Sequence, residues 1–198
     1  MHKLILASES PRRKQLLTES GFQFETLSVK VSEIPGKNLT VDEKILANAK
    51  EKSDAAWILL LAKKNSPFVL LTADTEVVID NELLGKPVDV ADAEKMLGRL
   101  SGKNHSVKTG LWLREYPSGK EVSHVETTSI YFKDLSEKEI SFYAASKEGM
   151  DKAGAYAIQG QAAQFIDKYD GSYDNVVGLP VQILKKILNE QGWKVSGL

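Results

Sequence analysis

The 198-residue sequence contains no cysteine, which excludes disulfides and thiolate metal sites. Its three histidines, His2, His105 and His124, offer no metal-ligand spacing, so a histidine metal site is not expected. Neither sign of charge is in large excess. The net charge of −1 removes any global electrostatic case for a nucleic-acid partner. A phosphate ligand must therefore be caught by local cations. The longest apolar run, 55–62, is flanked by Asp54 and Lys63 and is far shorter than the ~20 residues that span a bilayer. Near the start, Glu9, Arg12 and Arg13 interrupt the chain before any signal-like apolar region develops. The expectation is a cytoplasmic protein with no membrane partner. There is no internal repeat or low-complexity tract, no glycine fingerprint for a dinucleotide and no Walker lysine loop.

What remains is an ordinary globular composition, 42% hydrophobic and 27% charged, able to bury a core. The spacing predicts a strand at 3–7 and a helix opened by Ser10 as cap and Pro11 at the first helical position, ending at Gly21. A strand is expected over 22–31. Thr40-Val-Asp-Glu43 is a capping box for a long helix to about residue 64. A strand over 68–79, a turn at Asp80, and a helix from Asp89 to Leu100 follow. Strands over 105–116 and 121–132 flank a Pro117-Ser-Gly119 hairpin. Ser136-Glu-Lys-Glu139 caps a further helix to 146, and a glycine-rich stretch precedes a strand near 164–168. Pro180 opens the last helix. Helices and strands mix rather than alternate, so the expected fold is α/β, with a mixed sheet flanked by helices and two lobes about a central cleft.

Three local signals point to phosphate chemistry. In Ser8-Glu-Ser-Pro-Arg-Arg13 a strand ends and a helix begins, so first-turn N–H groups and the helix dipole favour an anion. Arg12 and Arg13 add forked donors and Ser8 and Ser10 add hydroxyls; two solvated arginines on a capped helix is the plainer alternative. Lys52 falls on the helix face shared by Ile45, Ala49, Ala56 and Leu59. It either snorkels to the edge of that stripe or reaches inward to a phosphate. In Leu70-Leu-Thr-Ala-Asp-Thr75 an aspartate interrupts an apolar strand, and a buried carboxylate there needs a metal or a hydrogen-bond network; a strand-end turn residue is the alternative. Lys86 sits in the tight Leu84-Gly-Lys-Pro87 turn, and His105 reads as a turn-bracing residue.

Six motifs occur along the chain in the order Ser8-Glu-Ser-Pro-Arg-Arg13, Ala73-Asp-Thr75, Gly85-Lys-Pro87, Leu100-Ser-Gly-Lys-Asn-His-Ser-Val-Lys-Thr109, Lys152-Ala-Gly-Ala-Tyr-Ala-Ile-Gln-Gly160 and Gly171-Ser-Tyr-Asp-Asn-Val-Val-Gly-Leu-Pro180. In that order they resemble the Maf family of nucleotide pyrophosphatases. The motif ending at Gly160 resembles the branch that cuts dTTP and UTP to the monophosphate and pyrophosphate. The resemblance implies one Maf-type domain over 1–198 and an elongated fold. It implies Asp74 as proton acceptor, and Arg12, Thr75 and Gln159 as specificity residues. Ser10, Arg13, Glu33, Lys52 and Lys86 would surround the phosphates and a divalent metal (Mg²⁺ or Mn²⁺), with Glu33 and Asp74 as metal partners. A homodimer is among the assemblies it implies. Lys50 lies close enough to Lys52 to compete for its assignment. Two rival functions remain at this point: a pyrophosphatase for another nucleotide, such as 7-methyl-GTP or CTP, and a nucleotide-binding regulator of cell division with little turnover.

Overall fold

The computed structural model describes residues 1–32, 39–62 and 66–197. Among these the order is β1 (Lys3–Ala7), α1 (Pro11–Glu19), β2 (Phe24–Leu27), α2 (Val41–Leu61), β3 (Phe68–Ile79), β4 (Glu82–Leu84) and α3 (Val90–Leu100). Then come β5 (Asn104–Tyr116), β6 (Glu121–Phe132), α4 (Glu137–Ser146), β7 (Ile166–Asp170), α5 (Tyr173–Val177) and α6 (Val181–Glu190). The strands form a mixed sheet in the order β2-β1-β3-β5-β6-β7, with β4 on β3. This is the mixed α/β class that the pattern implies.

The chain separates into two compact units. The first holds Met1–Asp74, Thr109–Glu126 and Gly178–Leu198; the second holds Thr75–Lys108 and Thr127–Val177. In the first unit β1 pairs in parallel with β2 and with β3. After Lys3 every residue of β1 is buried, the continuous apolar run expected of a parallel strand covered on both faces. Ile5, Ala7, Phe68 and Leu70 of the strands pack with Ala56, Trp57 and Leu60 of α2. That helix starts at the expected capping box: Thr40 accepts from the Glu43 N–H, and the Glu43 carboxylate accepts from Thr40.

In the second unit β3 turns back into β4 through Asp80 and Asn81, both at positive φ (52° and 61°), which suits a two-residue hairpin. Its core gathers Val77, Leu97, Leu100, Ile130, Phe132, Tyr143, Tyr156 and Phe165.

Several expectations need correction. The strand read over 22–31 narrows to Phe24–Leu27, because pairing spans only Leu4–Ala7 of β1. The strand read near 164–168 is Ile166–Asp170, since 161–165 closes as a 3₁₀ turn that buries Phe165. Strand β4 and helix α5 were not expected. Ser10 occupies the cap position of α1 but makes no side-chain cap bond; its N–H donates to Ser8 Oγ at 3.2 Å.

Candidate active site

The turn from β1 into α1 brings Ser8, Arg12 and Arg13 to the start of a helix. Arg13 donates from Nε to the Gly178 carbonyl (2.8 Å) and from Nη1 to Ser8 Oγ (3.3 Å). Its fork is therefore held from two sides. Although part of the side chain keeps solvent exposure, the guanidinium lies among protein atoms. That desolvation lowers its pKa from 12.5 to about 10, opposed by the charge of Asp74 and assisted by that of Arg12. The first-unit carboxylate and the guanidinium pair thus share one electrostatic neighbourhood.

Asp74 is half-buried, between the buried stretches 68–73 and 76–79 of β3. One carboxylate oxygen accepts from Lys52 Nζ at 2.5 Å and the other from Asn48 Nδ2 at 3.0 Å. Lys52 also donates to the Ala73 carbonyl at 3.4 Å. Both donors come from α2, four residues apart and so on one face. Next to them, Thr72 Oγ1 donates to the Ala49 carbonyl at 2.8 Å, locking the helix to the strand. Lys52 thus reaches inward rather than snorkelling. Lys50 goes elsewhere, to Asp54 at 2.5 Å and over the Trp112 ring.

Ser8, Arg12, Arg13, Lys52 and Asp74 all belong to the first unit, as does the half-buried Ser10. Thr75, Lys86 and Gln159 belong to the second. Thr75 is half-buried, while Lys86 and Gln159 are exposed. Within that unit the Gly154 N–H donates to the Gly85 carbonyl at 3.0 Å, tying the Lys86 turn to the segment that leads to Gln159. Glu33 lies outside the described residues.

Asn48, only 2% exposed, escaped the sequence reading although its spacing from Lys52 is the same signal that exposed the lysine. Glu76, a buried carboxylate in the second unit, was also passed over. The Gly178 carbonyl that holds Arg13 carries no side-chain signal at all. Among the described residues no three His, Asp or Glu side chains cluster as a metal cage.

A family profile described as Maf-like protein matches residues 3–191. The chain belongs to the Maf family. Its Maf relatives include a dTTP/UTP pyrophosphatase from Bdellovibrio bacteriovorus, 54% identical over 94% of this chain and 97% of that protein. A dTTP/UTP pyrophosphatase from Caldicellulosiruptor bescii is 39% identical over 98% of this chain and 96% of its own. One from Bacillus thuringiensis is 41% identical over 96% of each. In backbone, this Maf chain is also similar to a HAM1 protein from Coxiella burnetii, at 16% identity with a TM-score of 0.49 over 96% of this chain and 100% of that one.

Proposed function

We propose that the chain is a nucleoside triphosphate pyrophosphatase that hydrolyses dTTP and UTP to the monophosphate and pyrophosphate. The observation that carries this reading is the Asp74 carboxylate held by Lys52 and Asn48 beside the buried Arg13. The full-length likeness to proteins named dTTP/UTP pyrophosphatase supports the choice of substrate.

Cleavage between the α- and β-phosphates needs charge neutralisation, an aligned water and a stabilised leaving pyrophosphate. Arg12 and Arg13, at the start of α1, bind phosphate oxygens together with the first-turn N–H groups. Lys52 is placed to exchange its contact with Asp74 for a phosphate oxygen, which frees that carboxylate oxygen to accept a proton from water. Asn48 keeps the carboxylate oriented during this exchange. Gln159 offers an amide donor and acceptor, matched to the O/N–H edge of uracil or thymine; its exposure leaves both atoms open to a ligand. Thr75 and Lys86 complete the substrate contacts in this reading.

The donor chemistry also suits a divalent cation. Mg²⁺ needs only one or two carboxylates when substrate phosphates supply further oxygens, so Asp74 with Glu33 would hold it without a three-residue cage. When bound, such an ion neutralises charge on the phosphate oxygens.

The test is steady-state kinetics with pyrophosphate detection over dTTP, UTP, CTP and 7-methyl-GTP, with and without EDTA. Turnover of dTTP and UTP, lost in EDTA and restored by Mg²⁺ or Mn²⁺, is expected. Asp74→Asn is expected to keep the fold and lower turnover by about 10²–10⁴-fold, the usual contribution of a general base. Wild-type turnover in that variant removes Asp74 from the chemistry, and binding without hydrolysis in the intact chain favours the regulatory reading.

A further inference from the structure

The second unit contains a polar arrangement that the reaction does not use directly. Between Tyr156 and Gly160 the backbone has no regular structure, so its N–H groups must find partners outside a helix or ladder. One inside the stretch, and one just past it at the start of the following 3₁₀ turn, find side chains. The Ala157 N–H donates to Tyr143 Oη at 3.3 Å, and the Gln161 N–H donates to Glu148 Oε1 at 3.0 Å. The Tyr143 hydroxyl donates in turn to that same Glu148 oxygen at 3.3 Å. At the upstream end the Tyr156 hydroxyl is hydrogen-bonded to His105 Nε2 at 2.7 Å.

The close approach is enforced by a glycine. Gly160 has φ +134°, and a Cβ there would run into the Glu148 carboxylate. Tyr156, Ile158 and Ala162 are buried at 5%, 9% and 0% exposure, whereas Gln159 among them is exposed. The segment is therefore pinned on both sides of one outward-facing amide. Burial first, then the neighbouring Glu148 charge, raises the Tyr143 pKa, so its hydroxyl keeps the proton it donates.

We propose that Tyr143 and Glu148 are positioning residues for base selectivity: they fix the 156–161 segment so that the Gln159 amide meets the pyrimidine edge in one orientation. This rests on the reading of Gln159 as the base-facing residue. An amide on an untethered loop still binds, but it discriminates poorly, because the two polar atoms no longer arrive in register with the base.

The experiment compares kcat/KM for dTTP and CTP in the intact protein and in Gln159→Ala, Glu148→Ala, Glu148→Gln, Tyr143→Phe and the Glu148→Ala/Gln159→Ala double variant, with folding checked by thermal melting. Gln159→Ala is expected to lower the dTTP:CTP ratio by about tenfold, the loss of one matched hydrogen bond. Glu148→Ala is expected to lower it by about 3- to 10-fold while kcat for saturating dTTP stays within about threefold, a change on the KM side. Glu148→Gln, which keeps an acceptor for the Gln161 N–H, is expected to restore the ratio. The double variant is expected to lose no more than Gln159→Ala alone, because both changes act through one amide. If Glu148→Ala does not fold, Tyr143→Phe, which removes a single hydroxyl, carries the same readout. A folded Glu148→Ala or Tyr143→Phe that keeps the wild-type ratio while Gln159→Ala loses it overturns the positioning role alone. An unchanged ratio in Gln159→Ala overturns the base reading itself, and the selectivity role with it.

Discussion

Two lysines a short step apart on α2 have different fates. Lys50 pairs with Asp54 near the surface, with both side chains about 40% exposed (43% and 39%), a contact worth little. Lys52 pairs with an Asp74 side chain that keeps only 13% of its surface. Two residues along a helix turn the side chain by about 200°, so composition cannot distinguish the pair but helical phase can. Lys52→Met removes the cation paired with a partly buried carboxylate, leaving Asn48 as a neutral donor to it. Because Lys52 itself keeps 26% of its exposure, the expected loss of stability is on the order of 1–3 kcal/mol, below that of a fully buried pair. Denaturant melts check this, and kcat/KM for dTTP should fall along with it. His105 gives a second residue-level prediction. It is 4% exposed, and burial lowers its pKa from 6.5 to about 4. Between those values the unfolded chain binds a proton that the folded chain refuses, so this group's contribution falls as pH drops from 6.5 towards 4 and is flat below. The span corresponds to about 3 kcal/mol. Urea melts at pH 7 and pH 4.5 should show a steeper acid loss in the wild type than in His105→Gln. The sequence reading of His105 as a turn brace needs correction: it lies in β5 and its ring is hydrogen-bonded to Tyr156, 51 residues away, a partner that no local pattern announces.

At the scale of elements, α2 must lie very close to β5. A Cβ on Gly110 would meet Ile45 Cγ2 at 2.6 Å and the Ile45 backbone at 3.4 Å. Ile45 is fully buried and sits in the same helix as Asn48 and Lys52. Gly110→Ala is therefore expected to push α2 away from the sheet, costing about 1–3 kcal/mol as overpacking does. It should also lower dTTP turnover, because the same helix carries both donors to Asp74; thermal melting and kinetics on one preparation read both. Element boundaries were legible where a local signal existed. Thr40 with Glu43, Ser136 with Glu139, and Asp89 with the Asp92 N–H all mark helix starts in the structure. Edge strands were less legible. Strand β2 is half-buried at its two ends and exposed at Glu25 and Thr26, without the alternation that announces a half-buried strand, and its length follows from what β1 offers for pairing.

For the molecule as a whole, the family match over residues 3–191 and the proposed nucleotide reading lead to a ligand-linkage prediction. Asp74→Asn, expected to bind without efficient turnover, should melt at higher temperature with dTTP and Mg²⁺. At a ligand excess of 100 Kd the expected gain is about 2.7 kcal/mol; differential scanning fluorimetry with CTP as the control reads it, and an equal shift with CTP argues against pyrimidine selectivity. Among the described residues no helix is long and apolar enough to cross a membrane, as the short apolar runs imply. By itself the sequence determined the mixed α/β class and most helix starts, and it singled out Arg13, Lys52 and Asp74, which the structure brings into one electrostatic neighbourhood or direct contact, because caps, periodicity and an aspartate in an apolar strand are local features that need no partner to be read. The tertiary structure alone decided that Asn48 shares the Asp74 carboxylate with Lys52, that the Gly178 carbonyl holds Arg13, and that Glu148 grips the segment carrying Gln159. Those contacts join residues 26, 165 and 13 positions apart, and only chain folding brings such groups within hydrogen-bond reach.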